Sequence, residues 1–366
     1  LLLFASTARA QEGRWVEVTP AGSRPDARVL PAMAYDGTRV ILFGGLGAVC
    51  CAELNDTWGW DGTGWTDLTP PSSPPTRWNH AMAYDDRRAR VILVDGDTAK
   101  TAIGQRSDTW EWNGAIGQWL SRGDGPWRDF GSVSGPAFLS WHAMAFDRSR
   151  ARIVVKGPWL GTSSGTWEWE WDTLTWVQVA GAVQPDGGDA YKMVYDDTVA
   201  RVVLFDGSGE GTWEWDGQAW TQVTSSGPSP APRGLYGMAY DPNRQQAVLF
   251  GGTTVGSCGI PGTDFQDTWE WDGTTRTWHE VVTEGPVPDA RWGHAMAYDP
   301  VRGVVVMFGG IDRDCNVMGD TWQYYGYRRP VHSTLALSGS GCGCRASHSN
   351  DGTAALALVA FVGAAA

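Results

Sequence analysis

The chain has 366 residues and a formal net charge of -13, with 19 % charged and 42 % hydrophobic residues. It is apolar enough to bury a sizeable core, which excludes a disordered polymer. An acidic chain with no run of Lys or Arg repels a phosphate backbone, so nucleic acid is not an expected partner.

Leu1-Leu2-Leu3-Phe4 leads to Ala8-Arg9-Ala10 before polar Gln11. An apolar stretch ending in A-x-A reads as the end of a secretory signal peptide, cut after Ala10. The sequence opens inside that segment, without initiator Met or basic leader, and residues 1–10 are set aside from the fold.

From there the chain repeats itself. Ala32-Met33-Ala34-Tyr35-Asp36 returns as Ala81-Met82-Ala83-Tyr84-Asp85, Ala143-Met144-Ala145-Phe146-Asp147, Lys192-Met193-Val194-Tyr195-Asp196, Gly237-Met238-Ala239-Tyr240-Asp241 and Ala295-Met296-Ala297-Tyr298-Asp299. These define six copies, of a size suited to four-stranded propeller blades. In each, a short turn is followed by an apolar run (40–45, 91–96, 153–157, 202–207, 247–252, 304–310), bounded as a fully buried strand should be. A third strand follows, as in Asp56-Thr57-Trp58, Asp108-Thr109-Trp110 and Asp267-Thr268-Trp269. Asp61-Gly62, Asn113-Gly114, Asp216-Gly217 and Asp272-Gly273 mark hairpins into a fourth strand carrying Trp65, Trp119, Trp176, Trp220 or Trp278. The sixth copy ends at Asp320-Thr321-Trp322-Gln323-Tyr324 without a fourth strand. Trp15-Val16-Glu17-Val18 matches Trp220-Thr221-Gln222-Val223 and is expected to supply it, removing two exposed sheet edges.

Gly44-Gly45, Gly251-Gly252 and Gly309-Gly310, each followed by the aromatic strand, resemble the double glycine of the kelch-repeat family. Copies two, three and four depart with Asp95-Gly96, Lys156-Gly157 and Asp206-Gly207. Over 15–327 the resemblance implies an all-β fold: a six-bladed β-propeller of kelch type, like the central domain of galactose oxidase, over residues 11–330.

Most repeated residues are expected to be scaffold. Asp36 and its equivalents start turns, where the carboxylate caps backbone N–H groups. Glu111, Glu168, Glu214 and Glu270, between tryptophans, need Arg or backbone partners if buried. Of 23 Trp residues, 18 fall in third- and fourth-strand positions. The other five, Trp78, Trp127, Trp141, Trp159 and Trp292, lie in the four-to-one and two-to-three connections, which share one face of an up-and-down propeller. That face is elaborated and the other has only short turns, so binding is expected on the former. The ligand-binding candidates are Trp127, Arg128 and Phe130 in the 121–140 insertion, Trp159, Arg77 with Trp78, Trp141, Arg291 with Trp292, and Arg233 with Tyr236. The blade-three loops rank first. His80, His142 and His294 come from copies that do not all adjoin, so they are read as structural and no metal site is expected.

Cys50, Cys51, Cys258 and Cys315 fall in two-to-three connections of copies one, five and six. In an exported protein they are disulfide candidates, either Cys50–Cys51 or Cys315 with one of that pair. At the other end, Gly341-Cys342-Gly343-Cys344-Arg345 precedes the apolar run 353–366. Residues 331–366 resemble the cysteine-containing C-terminal sorting tails of exported myxobacterial proteins, with Cys342 and Cys344 as processing or anchoring residues.

The expectation is an exported bacterial propeller, extracellular or at the cell surface with envelope attachment through the tail. It binds a glycan or protein partner, has no catalytic residues and no cofactor, and is a monomer. A carbohydrate oxidase and a purely structural surface protein are the competing readings. Resemblance to galactose oxidase implies copper with Tyr and His ligands and a Tyr–Cys crosslink, and no residues here match that set.

Overall fold

The computed structural model describes residues 11–48, 52–99, 107–125, 142–157, 165–179, 184–185, 192–209, 211–255 and 259–326. The expected signal-peptide remnant with Ala10 and the tail with Cys342 and Cys344 lie outside them. The described residues form an all-β, propeller-like fold.

Each copy contributes consecutive antiparallel strands. In copy two, Ala81–Asp85, Arg90–Val94, Asp108–Asn113 and Gln118–Asp124 form a four-stranded sheet in chain order. Copies three and four do the same. Copy one forms a five-stranded sheet, because Arg28–Val29 also pairs with Val40–Gly47 beyond the Ala32–Tyr35 hairpin. Copies five and six share an eight-stranded sheet. Its junction is Gln11–Glu17, which pairs antiparallel with Thr321–Gly326 over five residue pairs, Trp15 opposite Tyr324. The other edge of Gln11–Glu17 meets Thr277–Thr283 in parallel over three pairs, Gln11↔Val281 to Gly13↔Thr283.

The first strands line the middle. Each lies against the first strands of the copies before and after it, and Ala295–Asp299 lies against Ala32–Tyr35. The small face of one strand receives the bulk of the next: Ala32 and Ala34 pack with Met82, and Ala143 and Ala145 with Met193 and Tyr195. The second strands are apolar on both faces because both are covered. Val40, Ile41, Leu42 and Phe43 are fully buried, alternately joining the clusters shared with copy six and copy two. The core is therefore distributed, one cluster between each pair of neighbouring copies.

The fourth-strand tryptophans cross those interfaces. The indole Nε1–H of Trp65 donates to Thr321 Oγ1 at 2.9 Å, Trp119 to Thr57 at 2.9 Å and Trp176 to Thr109 at 2.9 Å. Trp220 donates to Thr166 at 2.7 Å, Trp278 to Thr212 at 2.8 Å and Trp15 to Thr268 at 3.0 Å. Every bond runs from one copy to the preceding one, and Trp65→Thr321 joins the first to the last. Trp15 plays the fourth-strand part for copy six.

The turn aspartates cap as the residue type requires. Asp36 Oδ1 accepts from Thr38 N and Arg39 N at 2.9 and 3.0 Å, and Asp85, Asp147, Asp196, Asp241 and Asp299 serve equivalent turns. The inter-tryptophan glutamates are paired: Glu111 with Arg88 and Arg122, Glu168 with Arg150, Glu214 with Arg276, and Glu270 with Arg244.

Trp15 is 1 % exposed and packs on Phe250 and Tyr324. Trp15→Ala is expected to cost about 3–5 kcal/mol in urea unfolding. Trp15→Phe, which keeps most of the bulk but loses the bond to Thr268, should cost less. A Trp15→Ala protein as stable as the parent would show that the N-terminal strand is not part of the sheet.

Candidate functional site

Connections on the two faces differ as expected. First-to-second and third-to-fourth links are tight, such as 86–89 and 61–64, whereas 68–80, 95–107, 251–267 and 309–320 are long. Trp127, Arg128, Phe130, Trp141 and Trp159 lie outside the described residues, as do Cys50, Cys51 and Cys258. Cys315 is described, in the long connection of copy six.

The arginine candidates are corrected by their surroundings. Arg77 is fully buried: its guanidinium makes a bidentate pair with Asp108 at 2.5 and 2.9 Å, and also donates to Asp95 O and Pro75 O. Arg291 does the same with Asp320 at 2.6 and 2.8 Å, Gly309 O and Asp289 O. Arg233 pairs with Asp267, Gly251 O and Ala231 O. Arg28, not singled out from sequence, pairs with Asp56, Gly44 O and Asp26 O. With its donors spent and no exposed surface, none of these guanidinium groups faces a ligand. Each fastens the entry to its first strand onto the start of its third. The same carboxylate also accepts an indole N–H, from Trp58, Trp110, Trp269 or Trp322.

Two other candidates are also scaffold. Trp292, 7 % exposed, packs with Val29, Leu235 and Ile311. Tyr236 is fully buried, donating to Phe205 O at 2.5 Å and accepting from Lys192 N at 2.9 Å. Trp78 is half-buried and held by a bridge to Asp97.

The arginine device could have been found in the sequence. Arg stands five residues before the repeat Met, and Asp two before the third-strand Trp, in copies one, two, five and six. Copies three and four lack both, with Leu139 and Gly165 in one, and Gly188 and Gly211 in the other. Consistently, Trp213 Nε1 in copy four is buried without a hydrogen bond.

What the fold does assemble is a central channel. A cavity of 390 Å³ at the short-turn end is lined by the six repeat methionines and by Tyr35, Tyr84, Phe146, Tyr195, Tyr240 and Tyr298. Its size falls in the range of small-molecule clefts. A second cavity of 80 Å³ at the loop-rich end is lined by the same methionines and by His80, His142, Lys192 and His294. Non-adjacent copies meet at an axis, so all three histidines line this one cavity although their copies do not all adjoin. Burial, with the nearby Arg77 charge, holds His80 well below the usual imidazole range. Burial and Arg291 push His294 down to about 3. Among the described residues no group of three or more His, Cys, Asp or Glu is placed to hold a metal ion.

Asp95, just after the second strand of copy two, is a strained position. It occupies the position of Gly44, Gly251 and Gly309 and adopts their left-handed backbone, φ 53° against 60°, 64° and 74°. Its carboxylate is buried without a hydrogen bond, and burial together with Asp108 raises its pKa well above the ordinary value.

No protein-family model matches the chain. Among curated proteins it is 26 % identical over 147 residues to Adagio-like protein 1 of Oryza sativa subsp. japonica, a stretch that is 39 % of this chain and 21 % of that protein. The chain thus spans about a fifth of the length of the curated relative it matches. Among solved structures it is similar to "Structure of YjhT", with a TM-score of 0.58 and 13 % identity, covering 83 % of this chain and 96 % of that one. A likeness at that identity speaks to the fold alone, and it agrees with an all-β propeller.

Two outcomes follow from the buried acids. Burial works against the Asp320 and Asp56 carboxylates, but hydrogen bonds and charge from Arg291 and Arg28 reverse it and leave both pKa values below 3.8. A lowered folded pKa contributes stability that is present above the unfolded value and lost as pH falls through the folded one. Asp320→Asn should therefore cost on the order of 3 kcal/mol at neutral pH, since Arg291 stays buried, and less below about pH 4; a pH-independent cost in thermal unfolding would refute the ion-pair account. Asp95→Gly should stabilise by about 1–2 kcal/mol at neutral pH by relieving strain and a buried acid, read as a higher Tm; a lower one would show that the carboxylate is held by a favourable contact.

Proposed function

We propose that the chain is an exported, six-bladed kelch-type propeller whose loop-rich face binds a glycan through aromatic side chains of the copy-three connections. The cyclic Trp–Thr bonds and the cyclic neighbours of the first strands support six blades, with Gln11–Glu17 completing the last. The observation that carries the functional reading is the pattern of the arginine device. Four copies have their entrances fastened by a buried Arg–Asp pair, and copy three, one of the two without it, carries Trp127, Arg128, Phe130 and Trp159 in its connections. A rigid scaffold relaxed at one sector is suited to presenting variable loops, and aromatic faces stack on sugar rings. The exported setting is supported by the oxidised state of Cys315.

On a glycan array, the purified chain should bind a restricted set of sugars. Trp127→Ala and Trp159→Ala should each weaken binding about tenfold or more, equivalent to 1.4 kcal/mol, without lowering Tm. Binding indifferent to both changes, or none at all, would remove the assignment.

A further inference from the structure

Six of the eight methionines stand at one level of the channel, one per copy. They line the 390 Å³ cavity at the short-turn end and also the 80 Å³ cavity beyond it, and they are the residues the two linings share. They form the waist of the channel and the floor of the larger cavity. Each is 5–9 % exposed, against 0 % for Val40, Ile41, Leu42 and Phe43 in the closed core. Methionine is unbranched, adapts to irregular neighbours and makes favourable contacts with aromatic rings. Six of them around one opening suit a floor that adjusts to an occupant.

Above that floor stand the rings of Tyr35, Tyr84, Phe146, Tyr195, Tyr240 and Tyr298. Three of the hydroxyls are bonded to the turn of the preceding copy. Tyr195 Oη accepts from Ser149 N at 3.2 Å, Tyr240 Oη donates to Asp196 Oδ1 at 2.8 Å and Tyr298 Oη accepts from Asn243 Nδ2 at 2.6 Å. These rings are fixed before any ligand arrives, so binding need not order them. All six first strands and the turns after them lie within the described residues. Arg148 is the one charged side chain among the described lining residues, and it is paired on both sides, with Asp86 at 3.0 Å and Asp197 at 2.6 Å. Further polar groups come from the backbone. Each first strand pairs with one strand, its own second. Its other edge, turned to the axis, carries a row of N–H and C=O groups without a strand partner.

We propose that the short-turn end of the central channel binds a small uncharged nitrogen heteroaromatic, its ring among the Met and Tyr side chains and its rim hydrogen-bonded to the inner edges of the first strands. The ring meets thioethers below and aromatic faces around it, the contacts those side chains favour. Nitrogen and oxygen atoms on the rim give back the hydrogen bonds that the strand edges would lose with water, which a pure hydrocarbon cannot do. A charged ligand finds its one possible counter-ion, Arg148, already paired. Size agrees as well: an apolar cavity of about 150 Å³ takes up benzene, and 390 Å³ leaves room for two fused rings. This site uses none of the loop residues of the preceding proposal and stands or falls separately from it.

The test is NMR of the full chain labelled at the methionine methyl groups, where eight residues give a sparse spectrum. Adenine is the probe, an uncharged two-ring heteroaromatic with donors and acceptors around its rim. Cyclohexanol, uncharged but not aromatic, and sodium benzoate, aromatic but charged, are the comparisons at matched ionic strength. Adenine should produce saturable ring-current shifts with one common Kd at Met33, Met82, Met144, Met193, Met238 and Met296. Met307 and Met318, which do not line the cavity, should stay in place. Cyclohexanol and benzoate should bind at least about tenfold more weakly. Single Met→Leu changes, which nearly conserve volume, assign the signals. Absence of a saturable adenine shift, or equal movement at Met318, would overturn the proposal. Equal binding of cyclohexanol or benzoate would also overturn it, since the site would then not select an uncharged aromatic ring. The titration of the unmodified chain decides the matter even if a substituted one is unstable.

Discussion

The structure depends on one contact made six times: a fourth-strand indole buried between two sheets, its N–H held by a threonine of the preceding copy. A single sheet of this repeat is apolar on both faces of its second strand and cannot be stable by itself. Stability comes from covering those faces with neighbours, and the tryptophan is the largest single piece of that cover. Burial carries most of the energy, since truncating a buried Trp costs about 3–5 kcal/mol while a neutral hydrogen bond nets about 1. The hydrogen bond instead fixes how far one sheet may slide past the next. Because no fourth strand follows Thr321–Gly326 among the described residues, the cycle closes through Trp15, roughly 300 residues away, which takes that place.

Much of this is legible in the sequence, for a definite reason. Turn aspartates, hairpin Asp-Gly pairs and the match of Trp15 to Trp220 are local signals, set within a few residues and repeated six times. Glu111 and its equivalents are legible too, because an acid between two buried tryptophans must find a cation. Arg77, Arg233 and Arg291 are the opposite case. Each lies in a polar connection and looks like a surface group, while the carboxylate that buries it is about 30 residues further on. The signal exists only as the joint presence or absence of Arg and Asp across copies.

The shared placement of the histidines is not legible in the spacing, for a geometric reason. Adjacency along the chain governs contacts between sheets but not at an axis, where all copies are equidistant. His80, His142, Lys192 and His294 come from copies two, three, four and six and still line one cavity. Reasoning by neighbouring copies is therefore sound for the interfaces and wrong for the channel.

The same distinction explains where the repeat is allowed to break. Between sheets, every departure is penalised twice, once by each neighbour, and the second strands remain uniformly apolar. Copies three and four lose the arginine pair together with its aspartate, so no charge is stranded. At the axis, a side chain meets open space as well as protein, and Lys192 can stand where alanine is the rule without displacing a neighbour. Asp95 is a third kind of break, paid in backbone strain and an unpaired carboxyl. All three fall in copies two to four, so the half of the molecule containing Trp15 and its cycle-closing strand is kept regular. The departures gather where the closing contact does not depend on them.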